Sequence, residues 1–236
     1  MYTVLAITCH PDDMEIHAAG TLMKCVERGD RVVVCHLCSG NLGHMVIEPD
    51  ELAKIRSQEA RNSAAIGGFE YRYGGFNDLD IYDNNKKARD MVVDIIRDVD
   101  PDFIITHYPN DYMADHVATS KLVFEASFAA CVPHYESKVS KASKNVPIFY
   151  MSPSRGINFQ PTEYVDVTEY IDKKADMLRC HESQIVWLRD HDNVDLVEEG
   201  TMMCRFRGLQ CGVMYAEGFV QCLVGGKIQP KRMLPE

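Results

Sequence analysis

Short apolar runs bounded by charge recur along this chain, with helix-period segments between them. Tyr2–Thr8 is apolar at nearly every position, and Arg31–Leu37 and Phe103–His107 repeat the pattern. Such runs read as strands buried on both faces, as in a parallel sheet covered by helices. Tyr164–Val167 reads as a further short strand and Tyr71–Tyr73 as a weak one, while the segments Pro147–Met151 and Met214–Cys222 carry no assigned element. Helical patterns cover Ala18–Arg28, Pro49–Ile66, Asn84–Val99, Asp115–Ala130, Glu169–Cys180 and Asp195–Gln210. In Asn84–Val99, the residues Met91, Val92, Ile95, Ile96 and Val99 share one face, and Asp100-Pro101 stops it. The alternation predicts an α/β fold, a Rossmann-like doubly wound, mostly parallel sheet with helices on both faces. Ser137–Asn145 is a polar loop rather than a boundary, so residues 1–236 read as one domain with a C-terminal extension.

Composition narrows the class. The chain has 236 residues, 46% hydrophobic and 25% charged, as in globular proteins, and no apolar run approaches a membrane span. No basic-then-apolar leader opens it, so a cytoplasmic location is expected. A net charge of −10 without a basic stripe argues against nucleic acid as a partner. A small-molecule substrate is the expected partner, and the sequence is compatible with a homo-oligomer. The nine cysteines read as reduced thiols. Cys35-His36-Leu37-Cys38 lies inside an apolar run with no second pair, so buried strand cysteines are expected there.

Chemistry concentrates where two strands stop. Tyr2–Thr8 leads into His10-Pro11-Asp12-Asp13, and Phe103–His107 leads into Asp111, Asp115 and His116. Ligands of open α/β sheets bind just beyond the carboxyl ends of strands. Imidazoles and carboxylates there can hold a metal ion and activate water. Capping alone would explain Asp12 or Asp115 singly, but not the ordered set.

These motifs resemble the PIG-L/LmbE-like family of metal-dependent N-acetylglucosaminyl deacetylases. His10-Pro11-Asp12-Asp13 and Asp115-His116 carry the resemblance. Gly20-Thr21-Leu22, Ser39-Gly40-Asn41-Leu42-Gly43, Arg56 with Glu59-Ala60-Arg61, Leu178 with His181-Glu182-Ser183-Gln184, and Ala216-Glu217-Gly218-Phe219 extend it in order. The resemblance implies an LmbE-like fold and a zinc site of His10, Asp13 and His116, with other divalent metals such as Fe2+ as alternatives. It implies Asp12 as general base and Asp115 as the residue orienting a ligand histidine. Glu15 reads either as a further orienting carboxylate or as a first-turn helix acid. The implied substrate is an N-acetylated sugar conjugate.

One position departs from the family pattern. Met113 stands where many members carry a histidine that acts as acid or oxyanion partner, and a thioether can do neither. His181, Asp111 or Asp12 itself could supply that help, with His181 the first choice. Arg56, Arg61 and His44 are candidates for substrate or loop contacts, His107 for support of the site, and Trp187 and Tyr82 for a sugar subsite. His17 lies in the first helical region, and His134 and His191 carry no motif. The expected function is a zinc-dependent hydrolase removing an acetyl group from a small N-acylated amine. The alternatives are a metal-dependent hydratase or lyase of an unsaturated acid, an Fe(II) oxygenase, and a non-catalytic sugar binder.

Overall fold

Seven strands form one sheet in the computed structural model, which describes residues 1–82 and 84–236. They are β1 (Thr3–Thr8), β2 (Arg31–Cys38), β3 (Glu70–Phe76), β4 (Phe103–Thr106), β5 (Ile148–Met151), β6 (Glu163–Asp166) and β7 (Ala216–Gln221). Their spatial order is β3-β2-β1-β4-β5-β7-β6. Strands β1 to β5 pair in parallel, whereas β7 runs antiparallel to both β5 and β6. The helices are α1 (Asp13–His17), α2 (Ala19–Glu27), α3 (Pro49–Gly67), α4 (Lys86–Val99), α5 (Ala114–Ala129), α6 (Ile171–Arg179), α7 (Glu182–Trp187) and α8 (Leu196–Cys211).

The side-chain alternation of β1 explains the two layers. Leu5 and Ile7 enter one core with Val92, Val93 and Ile96 of α4 and Leu122, Val123 and Ala126 of α5. Val4 and Ala6 point the other way, against Leu22 of α2, Ala64 of α3, Met177 of α6 and Cys204 of α8. A strand covered on both sides must be apolar at both parities, which is why β1 reads as an unbroken run. Helix ends follow local chemistry. The Asn85 side chain accepts from Ala88 N–H at 3.1 Å to start α4, and Asp195 does the same from Glu198 N–H at 2.9 Å for α8.

Two features position the site. After β1 the chain crosses to β2 on one side, while β4 lies on the other side of β1. This topological switch point opens a crevice beyond the carboxyl ends of β1 and β4. Second, the expected helix Ala18–Arg28 is preceded by a separate short helix, α1, and the two break at Ala18, whose φ is −144°. Helix α7 and the π-helical turn Leu188–Asp192 were not anticipated either. Among the described residues no helix is long and apolar enough to cross a membrane.

Candidate active site

The end of β1 turns sharply. Asp12 takes φ 107°, a left-handed conformation costly for a residue with a Cβ, and occupies the N-cap position of α1 without a capping hydrogen bond from its side chain. Asp13 opens the helix and folds back, its Oδ2 accepting the His10 N–H at 2.6 Å. Arg56 of α3 secures the turn from behind. Its guanidinium donates to the Pro11 carbonyl and, at 3.1 Å, to the Gly40 carbonyl, and lies 3.2 Å from Asp12 Oδ2. The glycine at 40 is required: φ is +72°, and a Cβ there would sit 2.1 Å from Arg56 Nη1. Arg56 is 3% exposed; its two terminal nitrogens anchor the loop, its Nε is buried without a partner, and the residue lines the cavity that Asp12 faces.

Donor atoms of His10, Asp13 and His116 lie within 4.8 Å of one another. His116, in the first turn of α5, is aimed by Asp111, whose Oδ2 is 3.2 Å from Nδ1. The opposite nitrogen, Nε2, is buried without a hydrogen bond, 3.1 Å from Asp13 Oδ1. A histidine held through one nitrogen, with the other left unpartnered toward a carboxylate and a second imidazole, is the arrangement of a metal ligand. The donor set fits zinc or another divalent transition metal. Asp111 also accepts the Met113 N–H at 3.0 Å, and Asp115 Oδ2 accepts the Leu79 N–H at 2.9 Å while lying 3.3 Å from His10 Nε2. Both carboxylates therefore brace the two candidate ligand histidines. His107 accepts the Cys9 N–H at 2.9 Å through Nε2 and stacks on His116 with centroids 4.0 Å apart.

The field at this point favours a cation. Burial opposes charge on His10 and His116. The surrounding carboxylates outweigh it, holding His10 well above its ordinary pKa and raising His116 to about 9. Asp13, despite burial, is held well below the usual carboxylate range by His116 and His107. Asp12 moves the other way: burial, with Asp13 adding to it, pushes its carboxyl up to about 6 against the attraction of Arg56.

These groups face a cavity of about 410 Å³. His10, Asp12, Asp13 and His116 line it, as do Met113, His17, Ser154, Arg155, Gln184 and Trp187. His181 does not. It is wholly buried behind the cavity lining, its Nε2 3.1 Å from Glu15 Oε1. Glu15 accepts from Ser63 Oγ at 2.5 Å and is held down to about 2, against its own burial, by His181. His181 and Glu15 thus form a buried pair under Asp12. His44 turns its Nδ1 to the N–H groups of Val46 and Ile47, both at 3.1 Å, and does not line the cavity. Arg61 lies over the Tyr71 ring, and Tyr82 is exposed and does not line the cavity, whose aromatic lining is Trp187, stacked on His191, and Tyr112. Asp78 escaped sequence reading. Its carboxylate takes the Gly40 and Leu42 N–H groups at 2.7 and 3.0 Å and so holds the glycine loop over the site.

The chain is similar to known proteins in both sequence and fold. Residues 5–127, just over half of the chain, match the family described as PIG-L, GlcNAc-PI de-N-acetylase. A diacetylchitobiose deacetylase of Thermococcus kodakarensis is 28% identical over 193 residues, covering 78% of this chain and 72% of that protein. A probable N-acetyl-alpha-D-glucosaminyl L-malate deacetylase 2 of Bacillus anthracis is 25% identical over 189 residues, covering 77% and 80%. Among solved structures, GalB, the 4-carboxy-2-hydroxymuconate hydratase of Pseudomonas putida KT2440, shares the fold with a TM-score of 0.84 at 22% identity, over 99% of this chain and 100% of that one. With its His10-Pro11-Asp12-Asp13 turn facing His116 across the switch point, the chain belongs to the PIG-L family of deacetylases.

Proposed function

We propose that the protein is a zinc-dependent hydrolase that removes the acetyl group from an N-acetylglucosamine-type conjugate. The observation that carries this reading is the cavity in which His10, Asp13 and His116 converge beside Asp12. A zinc ion held by those three residues would lower the pKa of water and polarise the acyl oxygen. Asp12, whose carboxyl burial raises above the usual carboxylate range, serves as the general base that takes the proton of the attacking water. Attack on the acyl carbon gives a tetrahedral intermediate. Asp12 then returns the proton to the nitrogen, the C–N bond breaks, and acetate and a free amine leave. Arg56 keeps Asp12 in its strained conformation, while Asp111 and Asp115 keep the ligand imidazoles aimed.

The cavity volume and the Trp187 wall suit a sugar ring packed against an aromatic face. The substrates for which the two relatives are named, diacetylchitobiose and a glucosaminyl malate, support the same class. The test is acetate release from N-acetylated sugars by protein loaded with zinc or Fe2+, with and without chelator. Metal-dependent acetate release is expected. A second reading, hydration of an unsaturated carboxylic acid, is favoured by Met113 in the cavity wall and by the GalB-like fold. Turnover of such acids with no acetate release from any acetamido sugar would replace the first reading by the second.

A further inference from the structure

Met113 leaves the cavity without the histidine that would face the reacting acyl group, yet another imidazole is built into the same wall. His17 ends α1, four residues after Asp13, and residues so spaced lie on one helix face. It is 6% exposed, and it lines the cavity that holds His10, Asp13, His116 and Met113. Among the described residues its one side-chain hydrogen-bond partner is Ser154 Oγ, 3.4 Å from Nε2. Ser154 follows β5, so the loop of another parallel strand end holds the ring. Among the described residues it has no ion-pair partner, and burial, against the attraction of Asp13, pushes its pKa down to about 3, which keeps the ring neutral. A neutral imidazole carries one N–H and one acceptor nitrogen. In the tautomer that accepts the Ser154 hydroxyl at Nε2, the N–H sits on Nδ1.

The backbone around His17 is fixed by a buried clamp. Lys174 Nζ donates to the Ile16 carbonyl at 2.8 Å and to Glu217 Oε1 at 2.6 Å. Glu217 in turn accepts the N–H groups of Gly20 and Thr21 at 3.0 and 2.8 Å. Lys174 and Glu217 are almost entirely buried, so the break between α1 and α2 is rigid and His17 is preorganised. We propose that His17, held by Ser154 in the tautomer with its N–H on Nδ1, donates the hydrogen bond to the acyl oxygen as the tetrahedral intermediate forms, the role Met113 cannot fill. This rests on the deacetylase reading and assigns no proton transfer to His17, only stabilisation of developing negative charge.

Removing one such donor typically lowers kcat about 10²- to 10³-fold. The test compares wild type, H17A and H17Q as zinc-loaded proteins. It measures kcat and KM on the acetamido sugar turned over by wild type, affinity for methylphosphonate as a tetrahedral anion probe, zinc content and Tm. H17A should lose about 10²-fold in kcat, with KM within about 3-fold, and bind methylphosphonate at least about 10-fold more weakly. Zinc content and Tm should hold, and the amide of H17Q should restore at least about 10-fold of the loss in kcat. Unchanged kcat and methylphosphonate affinity in H17A would overturn the proposal, as would loss of zinc in both variants, which would make His17 a structural or metal-holding residue. If wild type releases no acetate from any sugar, the deacetylase reading fails, while the methylphosphonate comparison still reports on His17.

Discussion

Removing the Arg56 side chain should damage the site in a measurable order. Arg56 is 3% exposed and bridges the Pro11 carbonyl, the Gly40 carbonyl and the Asp12 carboxylate. Arg56→Ala leaves two buried acceptors without their donor and one buried carboxylate without its counter-charge. Breaking a buried pair from one side costs about 3–5 kcal/mol, and that range already includes the unpaired partner. In a domain of this size each kcal/mol moves Tm by about 2–4 °C, so a fall of roughly 6–20 °C is expected by calorimetry. Arg56→Lys keeps the charge, but an ammonium cannot span three acceptors as the planar fork does, and it should recover about half of the fall. Activity should drop further than stability alone explains. Asp12 sits at φ 107° with Arg56 as its restraint, so kcat measured well below Tm should fall at least about 10-fold. A Tm fall below about 3 °C with kcat within about 2-fold of wild type would refute the idea that Arg56 holds the turn together.

Other expectations follow from the same contacts. Gly40→Ala drives a Cβ into Arg56 and strains a φ of +72°, so it should lower Tm and kcat together, as Arg56→Lys does; a Tm unchanged by the alanine would contradict this. His36 is wholly buried with both ring nitrogens unpartnered, and burial pushes its pKa down to about 4. Its unfolded pKa is near 6.5, so below that value the unfolded chain binds the proton more readily. The stability tied to a neutral His36 is complete above pH 6.5 and is lost as pH falls toward about 4, roughly 2 kcal/mol by pH 5. His36→Leu should flatten the decline of Tm between pH 7 and pH 5 relative to wild type, and parallel declines would argue against a buried neutral imidazole. Glu217→Gln weakens the partner of buried Lys174 and should cost stability and mobilise the α1–α2 break, seen as faster amide exchange at Gly20 and Thr21.

The strands were legible because a doubly covered parallel sheet writes itself as unbroken apolar runs, and β1, β2 and β4 fall where those runs lie. The ligand set was legible for a related reason: chain reversal at a strand end concentrates polar residues in a few consecutive positions. What depends on distant segments was not legible. The antiparallel placement of β7 between β5 and β6 leaves no mark on its periodicity. His181 sits in a family-like motif, yet the packing of α6 and α7 puts it behind the cavity lining against Glu15. Asp78 follows a weak strand and meets the glycine loop only through the pairing of β2 with β3. His17 gains meaning only once the loop after β5 brings Ser154 to it.

The central claim is that Asp12 moves the proton in a reaction assembled on His10, Asp13 and His116. The most direct test is acetate release by wild type and Asp12→Asn, both loaded with zinc and matched for metal content. Wild type should release acetate from an N-acetylated sugar, and Asp12→Asn should keep its metal and lose at least about 10²-fold in kcat. An Asp12→Asn protein that retains metal and turns over at the wild-type rate would contradict the account.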